Sequence, residues 1–226
     1  MENAPGEGQK VWDGPTRLFH WTLVLLMLDA WLTIRFGDVR LRWHQWNGYA
    51  VAVLLLFRVC WGLWGTQSIR FAAFLRGPRA VIAYLLALRR GQHPPYGGHN
   101  PAGGWSVLAM LLLLLIQVVT GLFANDEILA SGPLSYLVDK ETASWLTMIH
   151  AVNIWLLLGL ILLHLGAISF YWLAHKENLL APMLHGYKEV SALPQGFANR
   201  LAPPGRAGWT LLLAGVLFWL AIWGWR

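Results

Sequence analysis

His150 and His164 stand fourteen residues apart in HAVNIWLLLGLILLH, an apolar stretch without proline. On an α-helix that spacing turns about 1400°, within about 40° of whole turns, and climbs about 21 Å. Both imidazoles then share one face at two depths. An imidazole in hydrocarbon is costly enough to demand a partner, and neutral imidazole is a good axial ligand for haem iron. A same-face pair near the two sides of a bilayer therefore predicts two ligation sites, with haem the natural occupant of each.

The elements that must carry these rings are membrane helices. The chain has 226 residues, 57% hydrophobic and 12% charged, and its mean hydropathy of +0.48 is that of an integral membrane protein. Runs of about 18 to 20 apolar residues predict spans at 18–34, 46–63, 105–123, 145–172 and 209–225, the last only just long enough. The expected fold is all-α and polytopic: a four-helix core over residues 1–188 that holds two b haems, then a linker and a fifth hydrophobic helix over 189–226. The first span ends without cleavage-type small residues and arginines follow it, so it reads as a retained helix. Trp21, Trp43, Trp46, Trp64, Trp105, Trp145, Trp172, Trp209, Trp223 and Trp225 sit at or near span ends, where indole rings favour the bilayer interface. Cys60 is the one cysteine. It excludes an internal disulfide and the CxxCH attachment of a c-type haem, so any haem is held noncovalently.

Charge sets the orientation. With the amino terminus inside, Lys10, Arg17, Arg70, Arg76, Arg79, Arg89, Arg90, Lys176, Lys188, Arg200 and Arg206 fall on inner segments, and Arg35, Arg40, Arg42, Lys140 and Arg226 on outer ones. Eleven against five predicts a cytoplasmic amino terminus. The net charge of +6 lies beside the spans, which points to anionic lipid headgroups and not to nucleic acid. The stretch PRAVIAYLLALRR suits an interfacial helix, and GQHPPYGGHNPAGGW reads as a turn-rich break. The first nine residues, MENAPGEGQ, are polar and expected to be loosely ordered. The outer loop sets Asp126, Glu127, Asp139 and Glu141 against Lys140. A solvated loop is the simpler reading of it, and the steering of a basic partner the other.

Topology sorts the histidines. His20 lies near the inner end of span one and His44 just ahead of span two at the outer end; His150 is outer and His164 inner. Depth therefore pairs His20 with His164, and His44 with His150. Two axial imidazoles saturate an iron and favour electron transfer over oxygen chemistry. Arg58 follows His44 by fourteen residues, which places it on the same face at the depth of the inner pair, where it would neutralise a haem propionate. Arg17, one turn before His20, would do the same; snorkelling to headgroups is the alternative for both. Asp29 turns to the face opposite His20 and has no assigned role. His93 and His99 lie on the inner side, where a quinone headgroup would exchange protons, although loop histidines are solvated by default. Solvation or capping is the expectation for His175 and His185.

The strings VWDGPTRLFHW, RVCWGLWGTQSIRF, GHNPAGGW and PMLHGYK, with the His150 to His164 spacing, together resemble the bacterial cytochrome b-561 family, which includes the cytochrome b subunits of nickel-iron hydrogenases. The likeness covers residues 11–188. It implies a membrane protein of four or five helices carrying two b haems, with ligands on the first, second and fourth helices: His20, His44, His150 and His164. It implies residence in a bacterial cytoplasmic membrane and electron exchange between a quinone pool and a redox partner, such as a periplasmic cytochrome c or a hydrogenase. Oligomerisation stays open. In one departure His44 precedes the predicted start of span two at 46. Two other function classes use parts of the same pattern. A self-contained oxidoreductase would take electrons from a small molecule such as superoxide and pass them to quinone. A histidine-based metal or proton transporter would need carboxylates along its path, and few stand near these histidines.

Overall fold

The computed structural model describes residues 8–37, 41–203 and 205–224. Residues 1–7, Arg40, Trp225 and Arg226 therefore lie outside the description. Among the described residues eight α-helices follow one another: α1 (Gly14–Phe36), α2 (Arg42–Trp64), α3 (Phe71–Phe74), α4 (Pro78–Arg89), α5 (Pro101–Phe123), α6 (Lys140–His175), α7 (Leu180–His185) and α8 (Arg206–Trp223). Two three-residue strands, β1 (Gly8–Lys10) and β2 (Tyr187–Glu189), and three short 3-10 turns accompany them. Helices α1, α2, α5, α6 and α8 are long and apolar enough to cross a membrane. The protein is all-α and polytopic, as its hydropathy predicts.

Local chemistry sets where the helices begin. Asp13 Oδ1 accepts the Thr16 backbone N–H at 2.8 Å, and Pro15 sits in the first turn of α1. Asn100 Oδ1 accepts the Gly103 N–H at 2.7 Å and starts α5 at Pro101 in the same way. Helix α2 begins at Arg42, four residues ahead of the apolar run, because backbone bonding continues through polar side chains: the Gln45 N–H already donates to the Leu41 carbonyl at 2.9 Å. His44 is thereby inside the first turn of α2 and not ahead of it. Helix α6 has 36 residues and at 1.5 Å per residue is about 54 Å long, more than the roughly 30 Å of a hydrocarbon core. His150 and His164 ride on it without a break. The interfacial stretch forms α4, with Tyr84 buried and Ile82, Leu85 and Leu86 exposed.

The chain divides into two compact units. The first comprises Met1–Leu18, Cys60–Ala109 and Leu162–Ala207. In it β1 pairs antiparallel with β2, Gly8 opposite Glu189 and Lys10 opposite Tyr187. Gly8 and Gln9 are thus fixed, contrary to the loose amino-terminal tail expected from composition, because strand pairing across the whole chain leaves no local signal. Val11 and Trp12 N–H groups both donate to the Gly186 carbonyl, at 2.9 and 3.1 Å. Trp61 Nε1 donates to Asp13 Oδ2 at 3.1 Å. Val11, Trp61 and Ile69 form the best-buried part of this unit. The second unit comprises Phe19–Val59, Met110–Ile161 and Gly208–Arg226. Its core joins Ala52, Leu134, Phe218 and Ile222.

Candidate functional site

In the second unit α2 presents His44 and α6 presents His150 with ring centroids 6.3 Å apart and planes at 89°. His44 Nδ1 lies 3.1 Å from the Ala30 carbonyl oxygen of α1. His150 Nδ1 lies 2.9 Å from the Gln117 carbonyl oxygen of α5. A carbonyl oxygen only accepts, so each Nδ1 carries the proton and each Nε2 is the lone-pair nitrogen; that of His150 accepts the Gln117 amide at 3.2 Å, a bond that a metal would replace. Metal-ligating histidines likewise place one nitrogen on a carbonyl and give the other to the metal. Two imidazoles from different helices, 6.3 Å apart and each tied through Nδ1 to a helix carbonyl, are residues that would hold a haem iron.

A polar network that the sequence reading did not single out braces the pair. Gln117 Nε2 donates to the His150 carbonyl at 3.1 Å and stands 3.2 Å from His150 Nε2. Asn153, buried three residues after His150, donates through Nδ2 to Gln117 Oε1 at 2.7 Å and to the Leu113 carbonyl at 2.9 Å. Thr120 Oγ1 sits 3.3 Å from His150 Nδ1. Gly121 leaves room for the ring: a Cβ there would lie 2.8 Å from His150 Cε1. Beside His44, the buried Asn47 donates to Asp29 Oδ2 at 2.6 Å and to the Leu26 carbonyl at 3.0 Å, which gives Asp29 a structural partner on α2. The missed signal was spacing: Gln117 with Thr120, and His150 with Asn153, stand three apart on one helix face within apolar spans.

The remaining predicted residues are placed as follows. His20, half-buried on α1, belongs to the second unit, and His164, half-buried on α6, to the first. Arg58 is only 4% exposed, which excludes snorkelling to headgroups for that side chain. Arg17 donates through Nη1 to the Leu184 carbonyl, so it too is turned into protein. Its buried Nε has no hydrogen-bond partner among the described residues. Gly186, at φ +95°, makes this approach possible, since a Cβ there would lie 2.7 Å from the Trp12 carbonyl oxygen and 3.3 Å from Arg17 Nε. The strings around Arg17 and Gly186 therefore meet, and the spare guanidinium N–H suits an anionic group.

Three histidines depart from the solvated default. His99 packs against Trp12 and Phe74, centroids 4.9 and 4.8 Å away. His93 pairs with Glu177 and stacks on His175. His185 does cap, accepting the Tyr187 N–H at Nδ1. The acidic loop spends its charge on its own fold. Asp126 Oδ1 accepts N–H bonds from Ile128, Leu129 and Ala130, each at 2.9 Å, and Glu127 pairs with Lys140 at 2.6 Å. Those bonds hold both carboxyls below their ordinary values.

The sequence pattern of prokaryotic cytochrome b561 matches residues 11–186, a stretch that starts at Val11 and ends at Gly186, the two residues joined by a backbone hydrogen bond. It contains His20, His44, His150, His164, Arg17 and Arg58. No individual curated protein matches the chain. A pattern covering most of the chain, on a fold of five membrane-length helices, places the chain in the prokaryotic cytochrome b561 family, as a membrane b-type cytochrome of electron transfer.

Proposed function

We propose that this chain holds two noncovalent b haems, each between two histidines, and carries electrons across a bacterial cytoplasmic membrane. Haem supplies one-electron redox chemistry when bound. His44 and His150 hold the outer group, and His20 and His164 the inner one. Arg17 and Arg58 supply positive charge for the propionates of the inner group. Two histidine ligands to each group would favour electron transfer over oxygen activation. Helix α6 gives one ligand to each site, about 21 Å apart along its axis, and so links the two. The excess of Lys and Arg on alternate segments supports an amino terminus in the cytoplasm. Electrons then pass between quinone at the inner side and an outer redox protein such as a periplasmic cytochrome c or a hydrogenase.

The observation that carries this reading is the His44 to His150 pair: 6.3 Å between centroids, from different helices, each Nδ1 on a helix carbonyl. The test is substitution by leucine with reduced-minus-oxidised spectra of the purified protein. His44→Leu and His150→Leu are expected to remove the same spectral component, and His20→Leu and His164→Leu the other. Removal of different components by His44→Leu and His150→Leu refutes the pairing.

A further inference from the structure

A second polar cluster, in the first unit, is assembled from four segments. His93, after α4, holds Nε2 3.2 Å from Glu177 Oε2, and Lys188 of β2 holds Nζ 2.6 Å from the other carboxylate oxygen. Lys188 Nζ also donates to the Tyr96 carbonyl at 3.2 Å. From α6, His175 stacks on the His93 ring at 4.7 Å and 26°, and Tyr171 meets it edge-on at 5.2 Å. The Tyr171 hydroxyl is hydrogen-bonded to that of Tyr84 on α4 and receives Asn100 Nδ2 at 3.1 Å. Titratable groups thus cluster between His93, whose side chain is 25% exposed, and Tyr84, 4% exposed, with a ring contact joining His93 to Tyr171 and Asn100 of GHNPAGGW bonded to the Tyr171 hydroxyl.

A clamp between loops would need only the Glu177–Lys188 pair, and withdrawing such a pair from water is costly. The added imidazole is the side chain whose ordinary proton affinity lies nearest neutrality. Burial lowers the His93 pKa, the neighbouring His175 and Lys188 lower it further, and Glu177 opposes them. The ring is therefore neutral at neutral pH, with a carboxylate in place to stabilise a transient imidazolium. Tyr84 behaves differently: burial and the Tyr171 hydroxyl push its phenol far up, so it stays protonated and acts as a fixed hydrogen-bond partner of Tyr171.

We propose that His93, Glu177 and Lys188, backed by His175 and the Tyr171–Tyr84–Asn100 hydrogen bonds, form the proton-exchange site of the quinone step, an assignment that rests on the inner quinone reading above. A quinone that gains two electrons from the outer redox partner also gains two protons, one on each carbonyl oxygen, and becomes a quinol; the reverse step returns both. His93 exchanges those protons between the aqueous phase and the quinone headgroup, while the Tyr84 and Asn100 hydrogen bonds hold the Tyr171 ring against the His93 ring.

The test uses the full chain with its haems, reduced by dithionite and mixed with a short-chain ubiquinone analogue, with haem re-oxidation followed across pH. His93→Gln keeps a donor toward Glu177 but does not titrate near neutrality. It is expected to slow re-oxidation by about 100-fold or more and to flatten the pH profile, with haem content and spectrum unchanged and the rate restored by added imidazole. Glu177→Gln is expected to move the profile to lower pH, since the group that raises the proton affinity of His93 is gone. A wild-type rate and profile in His93→Gln, or loss of haem from it, overturns the assignment and leaves a clamp only. Failure of the wild-type protein to react with quinone at any pH, while its haems still reduce, defeats the quinone reading itself and this assignment with it.

Discussion

Replacing Gly121 by alanine perturbs the His44–His150 site by geometry alone. The new methyl would lie 2.8 Å from His150 Cε1 and 3.1 Å from Nδ1, whereas carbon contacts settle at about 3.5 to 4.0 Å. The ring must move by roughly 0.7 to 1.2 Å to relieve that overlap. Its Nδ1 stands 2.9 Å from the Gln117 carbonyl oxygen, and such a shift takes the bond beyond the roughly 3.2 Å limit of a good N–H···O geometry. Overpacking of this kind costs about 1–3 kcal/mol, equivalent to a loss of about 5-fold to 150-fold in haem affinity at 1.4 kcal/mol per decade. Alanine is the better helix former by up to about 1 kcal/mol, so α5 itself is not weakened. Haem content and a redox titration of Gly121→Ala are expected to show the outer component lost or displaced and the inner one retained, with the helical content of the protein unchanged. Two haems at wild-type potentials in Gly121→Ala would refute the reasoning.

Asp13→Ala removes both the cap on Thr16 N–H and the acceptor for Trp61 Nε1 at a site only 5% exposed; the detergent-solubilised protein is expected to lose about 1–3 kcal/mol of stability, read as a lower melting temperature. Gly186→Ala meets both a left-handed backbone at φ +95° and a 2.7 Å approach to the Trp12 carbonyl oxygen. It is expected to loosen β1 from β2 and expose the 8–13 segment to limited proteolysis, while Gly205→Ala, with open space around its Cβ, does not. The loop carboxyls Asp126, Glu127 and Asp139 have folded pKa values below their ordinary ones, so their contribution is complete above the ordinary carboxylate range and is lost as pH falls through the folded values. Hydrogen exchange at the Ile128, Leu129 and Ala130 amides is expected to stay slow, after correction for intrinsic rate, down to about pH 4 and to accelerate below it; acceleration near neutrality would contradict the bonds drawn to Asp126.

The membrane helices were legible because hydropathy and length report what a bilayer demands, and the His150 to His164 spacing was legible because 3.6-residue periodicity is local. Their edges were not. Arg42, Trp43, His44 and Gln45 interrupt the apolar run but not the backbone ladder, so α2 begins earlier than its hydrophobic window and takes His44 with it. The bracing of His150 by Gln117 and Asn153 depends on which turn of α5 faces α6, a tertiary choice that spacing alone does not make. The pairing of residues 8–10 with 187–189 spans nearly the whole chain and has no local signature. His93 and His99 were read as loop histidines, and only the approach of Glu177, Trp12 and Phe74 from distant segments turns them inward. Asp29 shows the same limit: its partner Asn47 lies on the next helix.

The central claim, two haems held by four histidines of one chain, is tested most directly by a redox titration of the purified wild-type protein with haem and protein quantified in the same sample. Two haems per chain, titrating as two one-electron components with b-type spectra, is the predicted result. A single haem per chain, or a colourless protein, would contradict it.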